Sequence, residues 1–216
     1  MTGYKCKIVS WDEVAKWSEE LARKIMEKNF KVDVVVGLTR GGWVPARIMC
    51  DHLQTKSLYA IKTEHWGITA TKTGNARIAQ KLGVNIENKN VLVMDDITDT
   101  GESLSLAMEH VQSLKPKKAH SATLLHITHS KIVPDFYTVE VPKEDWTWFI
   151  FPWNFNEDMR TIVQQILVKE KSLNEMMDEL EESYSLRLNS FVIEKTLRDL
   201  KSTGAVMENG DRWIKC

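Results

Sequence analysis

Two adjacent carboxylates, Asp95 and Asp96, follow the apolar run Val91-Leu92-Val93-Met94, and a third, Asp99, stands three residues on. Thr100-Gly101-Glu102-Ser103 comes next and leads into a helical pattern. Ionised carboxylates accept hydrogen bonds from paired hydroxyls well. A short polar turn at a helix N-terminus offers backbone N–H groups and hydroxyls to an anion. The segment therefore suits a sugar that carries hydroxyls at one end and phosphate at the other. A second segment with chemical potential is Gly37-Leu38-Thr39-Arg40-Gly41-Gly42, where paired glycines allow close backbone approach and Arg40 supplies a fixed charge.

The elements that must position these residues follow from hydrophobic periodicity. Ser10, with Glu13 three residues on, opens a helix that runs to about Lys28 with Val14, Trp17, Leu21 and Ile25 on one face. Val32–Leu38 is an apolar run broken only by Asp33, as expected of a strand buried on both faces. Trp43–Leu53 is helical, Ser57–Lys62 a second strand, Asn90–Met94 a third, Glu102–Leu114 a helix and Ala119–Ile127 a fourth strand. The alternation predicts an α/β fold with a central parallel sheet flanked by helices. Thr63–Gly83 is polar and weakly periodic, and reads as a long loop or irregular hairpin able to act as a lid.

After Pro152 the pattern changes. Asn156–Val168, Ser172–Glu182 and Asn189–Ser202 read as helices. Asn209-Gly210 between two short apolar runs reads as a hairpin turn. The order suits a winged-helix module or a capping appendage. The expected division is residues 1–168 for the main domain and its hood, and 169–216 for a small helical unit ending in a β-hairpin.

Composition narrows the class. The chain has 216 residues, 43% hydrophobic, with a net charge of −1. That balance argues against nucleic acid or an acidic membrane as the default partner. Cys6, Cys50 and Cys216 are odd in number and show no metal-site spacing, which suits a reduced cytoplasmic protein. No apolar stretch approaches membrane length, and no signal-peptide pattern opens the chain.

The segment Val91–Leu104 resembles the phosphoribosyl-pyrophosphate (PRPP) signature of type I phosphoribosyltransferases, and Gly37–Gly42 resembles their pyrophosphate loop. The resemblance covers roughly residues 30–165. It implies the type I phosphoribosyltransferase fold with a hood, and transfer of the 5-phosphoribosyl group from PRPP to a base, giving a nucleoside monophosphate and pyrophosphate. It assigns ribose hydroxyls to Asp95 and Asp96, which would also hold Mg²⁺ directly or through water. Thr98, Asp99, Thr100, Gly101, Glu102 and Ser103 complete the ribose and 5′-phosphate site. Thr39, Arg40, Gly41, Gly42 and Arg160 would meet pyrophosphate, and the Thr39–Arg40 peptide can be cis in the family.

The resemblance also ranks substrates. Asp at position 99 matches the 6-oxopurine enzymes (hypoxanthine, guanine or xanthine), where it would act on the N7 proton as general base. Pro134-Asp135-Phe136, Val141-Pro142, Pro152-Trp153-Asn154 and Phe155-Asn156-Glu157 resemble base-pocket segments of these enzymes. They suggest that Trp148 stacks on the purine, with Trp146 as the rival if the register slips by two, and that Phe149 presents backbone groups to the base edge. Two departures stand out. Asn154 replaces the family's Asp. Ile127 stands where relatives carry a Lys for the purine 6-oxygen, so Lys131 is the candidate substitute. Closure over PRPP would fall to His65-Trp66 or to Thr69–Lys72. Relatives are commonly dimers or tetramers, so a homo-oligomer is expected. The same fold acting on another base, or as a PRPP-sensing regulator, is the alternative.

Overall fold

The computed structural model describes residues 3–65 and 76–216. In chain order the elements are β1 (Cys6–Ile8), α1 (Trp11–Glu27), β2 (Val34–Thr39), α2 (Trp43–His52), β3 (Leu58–His65), β4 (Ala76–Gln80), β5 (Asn90–Thr98), α3 (Glu102–Ser113), β6 (Lys118–Ile127), β7 (Phe136–Val141), β8 (Trp148–Ile150), α4 (Phe155–Ile166), β9 (Lys171–Ser172), α5 (Leu173–Tyr184), α6 (Ser190–Ser202), β10 (Val206–Asn209) and β11 (Arg212–Lys215). They form two compact units, residues 11–146 and residues 1–10 with 147–216.

The larger unit is built on a six-stranded sheet of order β4-β3-β2-β5-β6-β7. All neighbours run parallel except β3 and β4. The Val-rich runs of β2 and β5 are buried on both faces, which explains their unbroken apolar character. Val34, Val36 and Leu38 of β2 and Val91 and Val93 of β5 share one face, where they meet Leu104, Ala107 and Val111 of α3. The period of two in the strands and of three to four in the helix makes that match. Because β2 and β5 are adjacent and parallel, with Gly37 opposite Met94, the chain leaves both at the same edge of the sheet. That edge, at the carboxyl ends of the strands, is where open α/β sheets bind ligands.

Three features differ from the sequence expectation. β5 does not stop at Met94 but pairs onward with β6 through Asp95, Ile97 and Thr98. Phe136–Val141, expected only as part of a base pocket, is a further parallel strand against β6. The Thr63–Gly83 segment is an antiparallel pair at its flanks, with Thr63 opposite Ile78 and His65 opposite Ala76. The closure candidates Trp66 and Thr69–Lys72 lie outside the described residues.

The smaller unit joins the chain's beginning to its last third. β1 pairs in parallel with β8, Cys6 opposite Trp148 and Ile8 opposite Ile150. Ile150 and the α4 side chains Met159, Ile162, Val163 and Ile166 share one core with Leu180 of α5 and Leu197 of α6. This shared core places α4 and β8 with the C-terminal helices, whereas the expected division fell at 168/169. From α4 onward the order is helix, strand, helix, helix, strand, strand, and the sheet order is β10-β11-β9. That is the topology of a winged helix. Its helix ends are well finished. Ser172 and Glu175 form a capping box at α5. After α6, Gly204 takes φ 72°. Its N–H bonds Lys201 O, and Ala205 N–H bonds Leu200 O, a Schellman closure.

Candidate functional site

The two segments singled out in the sequence meet in the larger unit. Gly42 lies so close to the end of β5 that an added Cβ would stand 2.5 Å from Met94 O and 2.7 Å from Asp95 Cα. An added Cβ on Gly41 would overlap the Asp96 carboxylate. The paired glycines are thus required by the acidic pair they pack on. The Thr39–Arg40 peptide is cis.

Residues 95–104 line a cavity of about 280 Å³. At its floor Asp95 accepts from the Gly42 amide, and the Asp96 amide donates to Asp95 Oδ1 at 3.0 Å. Burial, and next the negative charge of Asp96, push the Asp95 carboxyl well above the usual carboxylate range. Asp96 is itself only 7% exposed. Such a pair stores repulsion that a cation would relieve, and carboxylate oxygens are the hard donors Mg²⁺ takes. The donor set therefore fits the metal expected from the sequence. Among the described residues no group of three or more His, Cys, Asp or Glu side chains is placed to hold a metal ion.

The turn from Asp99 to Glu102 leads into α3. Gly101 takes φ 81° at the N-cap of α3, and the Glu102 amide that follows donates to Thr100 Oγ1 at 3.4 Å. Thr100 and Ser103 border the same cavity. Thr98 also lines the cavity, and its buried hydroxyl donates to Thr123 Oγ1 at 3.2 Å.

Asp99 holds the most specific arrangement. Its Oδ1 lies 2.5 Å from His129 Nε2 and 3.3 Å from Trp146 Nε1. Trp146, the rival aromatic of the sequence reading, therefore belongs to the larger unit beside Asp99. His129 carries no motif and was missed; only its contact with Asp99 reveals it.

Lys131 was expected to meet the base. Its Nζ bonds Glu102 Oε1 at 2.9 Å, its side chain is 73% exposed, and it lines a neighbouring cavity with Ala76 and Ile132. The pull of Glu102 in solvent explains why it does not line the Asp95–Leu104 cavity. Trp148, Phe149, Asn154 and Arg160 belong to the smaller unit. There Trp148 meets Tyr4 edge-on, with centroids 6.1 Å apart, and packs on the helical core, so its ring is engaged by that core. Phe149 is half-buried in β8, opposite Lys7. Asn154 is the N-cap of α4 and makes no side-chain cap bond. The Arg160 guanidinium stands 3.8 Å from Asp199.

Comparisons with known proteins agree with this geometry. Residues 7–160 match the phosphoribosyl transferase domain family. The chain is 32% identical over 148 residues to a xanthine-guanine phosphoribosyltransferase of Desulfotalea psychrophila, covering 68% of this chain and 84% of that protein. It is 30% identical over 149 residues to the enzyme of the same name from Cereibacter sphaeroides, covering 68% and 85%. A crystal structure of a purine phosphoribosyltransferase from Pyrococcus horikoshii superposes with a TM-score of 0.60 at 27% identity, covering 69% of this chain and 93% of that one.

Proposed function

The chain belongs to the phosphoribosyltransferase family, and we infer from this premise that it acts in purine salvage, transferring the 5-phosphoribosyl group of PRPP to N9 of a 6-oxopurine base. The products are a nucleoside 5′-monophosphate and pyrophosphate. The observation that carries the reading is that the Asp95–Asp96 pair and Asp99 line one cavity while the Gly41–Gly42 turn packs on the pair.

The geometry supports a division of labour. Asp95 and Asp96 accept the ribose 2′- and 3′-hydroxyls and hold the Mg²⁺ that PRPP brings. A Mg²⁺ held by these two carboxylates would supply charge stabilisation for the departing pyrophosphate. Amides of Gly101, Glu102 and Ser103, with the Thr100 and Ser103 hydroxyls, take the 5′-phosphate at the start of α3. The tight Thr39–Gly42 turn offers backbone groups and Arg40 to pyrophosphate. Asp99 accepts the N7 proton as the N9–C1′ bond forms and the C1′–O bond to pyrophosphate breaks. Much of the barrier is lowered by positioning and charge stabilisation. On the base side Trp146 stands in the larger unit with Asp99. The reading includes a homo-oligomeric, cytoplasmic enzyme, as the family resemblance implies.

Initial rates with PRPP, Mg²⁺ and a panel of bases test this reading. Turnover of hypoxanthine, guanine or xanthine with little use of adenine or a pyrimidine supports it; preference for adenine overturns it. A second reading, a PRPP-sensing regulator, is favoured by the winged-helix topology alone. The charge pattern of that unit opposes it: Lys201 is paired with Glu208, Arg212 with Glu175 and Arg187 with Glu181.

A further inference from the structure

We propose that His129 is the positioning residue of the proton-accepting carboxylate, donating from Nε2 to Oδ1 of Asp99 so that Oδ2 is left to take the purine proton. The proposal rests on the reading of Asp99 as general base.

Three observations carry it. First, both neighbours of Asp99 converge on one oxygen, His129 Nε2 at 2.5 Å and Trp146 Nε1 at 3.3 Å. No donor among the described residues reaches Oδ2. A carboxylate with both donors on one oxygen cannot rotate without losing both, so its second oxygen keeps a fixed direction. Because an ionised carboxylate only accepts, the proton of this contact resides on Nε2. Second, the turn that carries His129 is anchored at both ends. Thr128 N–H bonds Val141 O, and Thr128 Oγ1 accepts from the Lys143 amide at 2.8 Å. Lys131 N–H bonds Thr100 O at 3.1 Å, which ties this turn to the one carrying Asp99. A group held at two points pre-organises its partner rather than following it. Third, Ile127, at the end of β6, is buried and apolar, and Lys131 is drawn away to Glu102. Among the described residues, His129 is thus the basic side chain that contacts Asp99.

In the reaction the N9 lone pair forms the bond to C1′ while the C1′–O bond pair leaves with pyrophosphate. The N7 proton passes to Asp99 Oδ2, and the reverse reaction returns it. His129 gains and loses nothing. Its contribution is that Oδ2 is already aimed when the base arrives.

The test is steady-state kinetics with hypoxanthine and PRPP on His129→Ala, His129→Gln, Asp99→Asn and the double variant His129→Ala/Asp99→Asn, with Tm measured for each. The expected result is a kcat loss of about 10- to 100-fold for His129→Ala, as for removal of one bond to a charged group, with KM for PRPP within about twofold. His129→Gln, which keeps a donor, recovers most of the loss. In the Asp99→Asn background the Ala substitution costs nothing further, because the two residues act as a unit. Wild-type kcat in His129→Ala, an equal loss in His129→Gln, or additive losses in the double variant overturns the proposal while Asp99→Asn alone still tests the general base. A chain that transfers phosphoribosyl to no base overturns both.

Discussion

Gly41 and Asp96 are packed so tightly that a single added methyl on the glycine would occupy the space of the carboxylate oxygens. The Thr39–Gly42 turn and the Asp95–Asp96 pair, far apart in the chain, are one structural object. Gly41→Ala must therefore displace Asp96 or the turn itself, an overpacking cost of about 1–3 kcal/mol. We expect a modest fall in Tm and at least a tenfold rise in KM for PRPP, with KM for the base less affected. Equal KM values for PRPP in wild type and variant would show that the turn does not meet this substrate.

Asp95 works against the fold in order to serve the site. Burial, with the charge of Asp96, raises its folded-state pKa. A carboxyl raised in this way binds more protons folded than unfolded. Its contribution to stability is therefore full below the unfolded pKa and is lost as pH rises through the folded value. Asp95→Asn removes that loss. We expect the variant to have a higher Tm than wild type at neutral pH, and the advantage to shrink in acid. The same substitution removes a charged acceptor, so KM for PRPP rises at least about tenfold. Thermal melts between pH 4 and pH 8, paired with PRPP kinetics, check both halves.

Asp99→Asn separates chemistry from PRPP binding. The amide keeps the shape of the carboxylate but cannot accept a proton. We expect kcat with hypoxanthine to fall about 10²- to 10⁴-fold, the range for a lost general base, while KM for PRPP stays near the wild-type value. A fall in PRPP affinity of the same size would instead make Asp99 a ribose-phosphate ligand.

Stability of the smaller unit depends on a local device at the start of α5. Glu175 is held to about 2 by the Ser172 amide first and then by Arg212. A carboxyl lowered in this way contributes stability above its unfolded pKa, near 4.5, and loses it as pH falls toward about 2. Ser172→Ala removes the other half of the capping box and should cost about 1 kcal/mol. Glu175→Gln should flatten the acid side of the Tm profile below pH 4.5, and an unchanged profile would show that the box contributes nothing measurable.

How much of this was legible in the sequence depended on where each interaction is encoded. The parallel core was readable because Val34–Leu38 and Val91–Met94 are apolar without a break, which only strands buried on both faces require. The acid pair and the glycine turn were readable because their chemistry is contiguous. β7 was not, since Phe136–Val141 is a short edge strand of mixed polarity. Nor was the division into units, because Cys6–Ile8 joins Trp148–Ile150 only through pairing across most of the chain. His129 had no local signal at all, and its role arises from a turn anchored at Val141 and Thr100.

The winged-helix topology of the smaller unit invites a nucleic-acid reading, and its charges argue against one. On α6, Lys201 is 2.5 Å from Glu208 of the wing, and Arg198 is 3.9 Å from Glu194. Arg212, at the other side of the wing, is 2.7 Å from Glu175. Lys195 donates to Asn156. Phosphate binding gains its energy from releasing counterions at cationic groups, so cations already neutralised within the protein bring little. Exposed pairs of this kind add little stability, which leaves the local balance of charge as their main effect on partners. We expect duplex DNA to show no salt-dependent binding in the micromolar range at 50–200 mM salt, with or without PRPP. Tight binding that weakens steeply with salt would return the regulator reading to the front, and turnover of hypoxanthine by the same preparation would then decide whether both activities share the chain.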